Sequence, residues 1–170
     1  MHSRVFVLAT KNEILSGDFE IPAPDEVVEA IPWADYVSGE AMGEEISKDI
    51  EWFKGAYGEN TIERKETFLT QDEEEVIGYK INKEVLLKKL EENFDRILTR
   101  VKGELELWSL KNGLEKSYVI ENIERIAGYS EFYFFLSGWR TIPETGLYYA
   151  LWETLKDKDV YIIATIDYHM

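Results

Sequence analysis

Cysteine is absent from the 170 residues. That removes disulfides, thiolate nucleophiles, zinc–cysteine sites and iron–sulfur clusters, and it fits a reducing compartment. Histidine occurs only twice, at His2 and His169, so no paired-histidine zinc motif can form on one helix. Glycine is scattered rather than clustered, and no phosphate loop, dinucleotide fingerprint, nucleophile elbow or kinase set is present. No cofactor is therefore expected. Basic side chains are also in short supply: 19 Lys and Arg stand against 34 Asp and Glu, for a net charge of -15. A nonspecific nucleic-acid binder gains affinity from cations that displace counterions along the phosphate backbone, so direct nucleic-acid binding is not expected. Long hydrophobic runs are missing too. The apolar stretch 5–9 is far too short for a signal segment or a membrane span, which points to a soluble, cytoplasmic protein.

What the chain does contain is 45% apolar and 14% aromatic residues, enough to build one hydrophobic core. With no internal repeat and no linker-like tract, a single domain over 1–170 is expected. The segment 4–10 is nearly all apolar and β-prone, which reads as a strand covered on both faces. A loop from Lys11 precedes a short helix over 25–31, opened by Pro24 and ended by Pro32. Met42, Ile46, Ile50 and Phe53 fall at helical spacing and predict a helix over 40–54, closed by Gly55 and Gly58. Segments 61–70 and 75–81 read as a hairpin at the sheet edge around an acidic turn.

Asn82 is a good N-cap for a helix with a stripe of Leu86, Leu90, Phe94, Ile97, Leu98 and Val101, which Gly103 bends or ends and 104–110 can extend. Asn112-Gly113 predicts a turn before another helix over 115–127, capped by Gly128. Residues 132–136 and 160–168 read as buried strands, joined by the loop Gly138-Trp139-Arg140 and a helix to Lys156. Thr141 and Glu144 fit a capping box at the start of that helix. Together these elements predict an α+β (or α/β) fold, a mixed sheet of about five strands with helices packed on it, its first, fourth and last strands central.

Four constellations carry possible chemistry. The first sixty residues hold 13 acidic and four basic side chains, a face that can dock a basic protein or imitate DNA phosphates, and otherwise a solvated surface. The strand-to-helix loop with Ser137, Trp139, Arg140 and Thr141 is a candidate site for a small anion, with Arg140 as a bidentate clamp and Trp139, Tyr148 and Trp152 as walls; the capping box would compete with it. His2, His169 and Asp167 become a candidate zinc or iron set if the first and last strands are antiparallel neighbours. The aromatic C-terminal third packs a core or supplies interface anchors. The leading functional expectation is an acidic module that binds a protein partner or its own copy. The alternative is a small-molecule enzyme or ligand-binding protein recognising an anionic group at 137–141.

Overall fold

The computed structural model describes residues 2–110, 116–128, 130–138 and 140–169. In chain order its elements are β1 (His2–Thr10), α1 (Lys11–Ser16), α2 (Pro24–Ala30), β2 (Tyr36–Met42), α3 (Ser47–Tyr57), β3 (Ile62–Leu69), β4 (Glu75–Ile81), α4 (Lys83–Leu110), α5 (Lys116–Ala127), β5 (Tyr133–Leu136), α6 (Glu144–Tyr149) and β6 (Val160–His169). A 3-10 turn over Gly43–Ile46 leads into α3, and a π turn over Ala150–Thr154 extends α6.

The six strands form one mixed sheet in the order β3-β4-β6-β1-β5, with β2 also paired to β6. β1 lies antiparallel along the whole of β6, from His2 opposite His169 to Thr10 opposite Val160. The other edge of β6 is divided, β4 pairing with Tyr161 and Ile162 and β2 with residues 164–169. Both faces are covered, which is why residues 5–9 of β1 are all apolar rather than alternating. Phe6 and Leu8 enter a core with Ile50, Phe53 and Tyr57 of α3, Leu86 and Leu90 of α4, and Leu147 of α6. Val5, Val7 and Ala9 enter a second core with Ile14 of α1 and Val27 of α2. Each fully buried side chain of this kind contributes about 1.5–3 kcal/mol. A register shift between Val7 and Leu8 leaves β6 one residue longer, so Ile162 serves the first core while Ile163 and Ala164 serve the second.

The α+β class and the edge hairpin stand, but four expectations are corrected. Residues 11–16 are a helix, not a loop: Thr10 and Glu13 form a capping box, and Gly17 closes it at φ 78. The helix expected over 40–54 begins only at Ser47, because residues 36–42 are captured as a sixth strand by the free edge of β6, and Gly55 lies inside the helix. β5 is an edge strand, not a central one; its side chains are buried, and Phe134 exchanges two backbone hydrogen bonds with Ile142 on its outer side. The capping box at Thr141 and Glu144 does not form. Pro143 holds the N-cap position of α6, and the Glu144 side chain turns inward to another partner.

α4 starts at the predicted cap, the Val85 amide donating to Asn82 Oδ1 at 3.2 Å, and passes through Gly103 without ending. Its first turns lie on the sheet; beyond Leu90 no described side chain of it is fully buried, Leu98 being 64% exposed, and α5 packs alongside its outer half. The predicted turn at Asn112-Gly113 lies outside the described residues. Among the described residues no helix is long and apolar enough to cross a membrane.

Candidate ligand site

Glu144 is the most deeply buried carboxylate side chain among the described residues, only 4% exposed. The backbone puts it there. The bridge between Phe134 and Ile142 pins the chain ahead of α6, and the Leu147 amide donates to the Pro143 carbonyl at 3.0 Å to open the helix. Gly146 lets the first turn lie against Ile142, since a Cβ at that position would stand 2.9 Å from the Ile142 Cβ. Ser130 supplies the cap that Thr141 does not: its Oγ accepts from the Glu144 amide at 3.1 Å and donates to the Phe132 carbonyl at 2.5 Å.

The Glu144 side chain then meets α3, where the buried Tyr57 hydroxyl donates to Glu144 Oε1 at 2.5 Å. Burial pushes the Glu144 carboxyl above its ordinary value near 4.5, the Tyr57 hydrogen bond pulls it back in part, and the charge of Glu131 adds to the rise. Glu144 therefore keeps its proton to higher pH than a surface glutamate and can act as a hydrogen-bond or proton donor.

A cavity of about 370 Å³ opens beside this pair, lined by Ala56, Tyr57, Asn93, Arg96, Ile97, Arg100, Glu131 and Glu144. Arg96 and Ile97 each lie three or four residues from both Asn93 and Arg100, so a single stripe of α4 forms the wall. Arg96 donates to the Asn93 side chain. Among the described residues neither Arg96 nor Arg100 is in an ion pair, despite the surplus of carboxylates. The site thus combines two guanidiniums with two carboxyls, the exposed Glu131 and the buried Glu144, whose proton affinity is raised. Sequence reasoning missed it, because the polar positions 93, 96 and 100 flank the apolar stripe of α4 and read there as an ordinary solvated face.

The predicted anion loop is built differently from expectation. Arg140 and Thr141 line a second cavity of about 340 Å³, but Glu26 and Glu29 of α2 share its wall. The Gly138 amide faces the Glu20 carboxylate at 3.4 Å, so one of this loop's backbone donors already has an anionic partner from the same chain. The Thr141 hydroxyl is buried without a hydrogen-bond partner among the described residues, and Ser137 is half-buried at the end of β5. Trp139 lies outside the described residues. Tyr148 and Trp152 stand elsewhere, their rings stacked at 6.3 Å, with the Tyr148 hydroxyl donating to Glu91 of α4 at 2.6 Å.

The chain ends do converge. His2 and His169 face each other across β1 and β6 with ring centroids 5.3 Å apart, and Asp167 Oδ1 lies 3.1 Å from His2 Nδ1. That same oxygen is 2.6 Å from the Arg4 guanidinium, whose Nε donates to Asp49 at 2.9 Å. His169 stacks on Tyr36 with centroids 5.0 Å apart. Among the described residues no group of three or more His, Asp or Glu side chains is arranged to hold a metal ion.

Compared with protein-family models, with curated proteins and with solved structures, the chain matches none.

Proposed function

We propose that the protein binds a small anionic molecule in the cavity between α3, α4 and α6, with Arg96 and Arg100 meeting its charge and Glu144 donating a hydrogen bond or a proton to it. The observation that carries this reading is the pairing, in one concave space, of a buried carboxyl of raised proton affinity with two guanidiniums that are in no ion pair among the described residues. Guanidiniums recognise carboxylate and phosphate groups through paired donors, and a carboxyl whose hold on its proton is strengthened by burial suits acid-assisted chemistry on such a substrate. A cytoplasmic setting belongs to the same reading, as a chain without cysteine is at home in a reducing compartment.

Calorimetric titration with a panel of small carboxylates and phosphate esters tests it. At least one should bind the wild-type protein, and Arg96→Ala with Arg100→Ala should weaken it by roughly a hundredfold, two charge-assisted contacts at about tenfold each. Glu144→Gln should keep the anion but remove the pH dependence of its binding. Equal affinity in all three proteins contradicts the proposal.

A second reading, association with a protein partner or a second copy, is supported by the exposed Leu98, Leu105 and Leu107 of α4 and Tyr118 and Ile120 of α5. Size-exclusion chromatography with light scattering across a salt series distinguishes it: a strict monomer with no basic partner at any salt concentration counts against it.

A further inference from the structure

Where β1 and β5 begin and β6 ends, the sheet finishes in a cavity of about 270 Å³ whose wall is largely aromatic. Trp33, from the turn after α2, and Trp52 of α3 stand on it at 67% and 48% exposure, with Phe132, Tyr133 and Tyr168 beneath and Glu131 at its wall. Exposed tryptophan is uncommon without a partner, and two at one cavity set this place apart from the rest of the surface. The space falls just below the usual range for small-molecule pockets, roughly 300–1,000 Å³, so it suits a compact head group.

We infer that this aromatic cavity takes a small organic cation bearing a methylated or quaternary ammonium group. Aromatic faces attract such cations through their quadrupoles, and a methyl-coated charge is cheap to strip of water. Trp52 already shows the preference: the Arg4 guanidinium sits 5.4 Å from its ring centroid. Arg4 is neutralised by Asp49 and Asp167, so it does not repel a second cation, and Glu131, which this cavity shares with the Arg96–Arg100 cavity, adds a negative charge to its wall. The net charge of -15 draws cations towards the molecule from a distance. A trimethylammonium group can arrive on a free small molecule or on a modified lysine; the compact cavity favours the free molecule.

Calorimetry with choline, its uncharged isostere 3,3-dimethylbutan-1-ol and a trimethyllysine peptide tests the assignment. Choline should bind, and the isostere should bind roughly tenfold more weakly, as expected for loss of a cation–aromatic contact. Trp33→Ala and Glu131→Gln should each weaken choline several-fold, while Trp152→Ala, at a different surface, should leave it unchanged. Because Trp33 and Glu131 are exposed, their replacement leaves the core intact. Equal affinity for choline and the isostere, no choline binding, or an unaffected Trp33→Ala protein overturns the proposal. A trimethyllysine peptide at least tenfold tighter than choline overturns the free molecule as occupant.

Discussion

Glu144 and Tyr57 meet across 87 residues of sequence, and that distance is why their pairing was not legible beforehand. Locally, Thr141 and Glu144 satisfy the capping-box pattern; in the fold, a buried phenol competes for the carboxyl and wins, because a buried polar group without a partner is costly on both sides. His2, Asp167 and His169 were legible from the alternation of strand side chains, whereas the engagement of Asp167 by Arg4 depends on register. The raised folded-state value of Glu144 has a stability consequence. Above about 4.5 the unfolded carboxyl loses its proton while the folded one keeps it, so the folded state binds more protons and stability falls as pH rises through that window. Glu144→Gln removes this contribution while retaining an acceptor for Tyr57. Urea midpoints measured from pH 4 upwards should fall less steeply with pH for the variant than for the wild type; parallel curves would show that Glu144 titrates normally.

Among the elements, those bounded by strong local chemistry were readable and those defined by their neighbours were not. Pro24, Asn82 and the apolar spacing of α4 marked helices that form as expected. β2 carries no apolar alternation, with residues 38–40 exposed, and exists because β6 offers an unpaired edge. The side chains of β5 advertise burial, but burial does not distinguish a central strand from an edge strand covered by α6 and its entry segment. Two substitutions test how the elements hold the site. Gly146→Ala places a Cβ against the Ile142 Cβ, two atoms fixed to backbone, and should cost about 1–3 kcal/mol in chemical denaturation. Lys83 Nζ donates to the Leu155, Lys156 and Lys158 carbonyls at 2.6 Å each, tying the start of α4 to the end of the π turn. Lys83→Met keeps the stem and loses the donors, so it should destabilise the protein by about 2 kcal/mol. An unchanged denaturation midpoint for either would mean that the contact contributes nothing.

At the scale of the molecule, the burial of the two terminal strands on both faces followed from their apolar runs; the strand order did not, because β5 shares that signature and lies at the edge. The excess of 34 acidic over 19 basic side chains leaves a self-repelling surface. Salt screens such repulsion beyond a Debye length of about 10 Å at 0.1 M, so the melting temperature should rise with sodium chloride; a fall would mean that favourable ion pairs dominate. Within that negative field, the cavity of Arg96, Arg100, Glu131 and Glu144 gathers two cations, and the function proposed for it depends on Glu144 holding a proton. The most direct measurement is a carbon-13 NMR titration of the Glu144 carboxyl in the unliganded protein. A midpoint clearly above the ordinary glutamate value near 4.5 is the result expected; a midpoint at or below it would contradict the proton-donor role on which the proposed site rests.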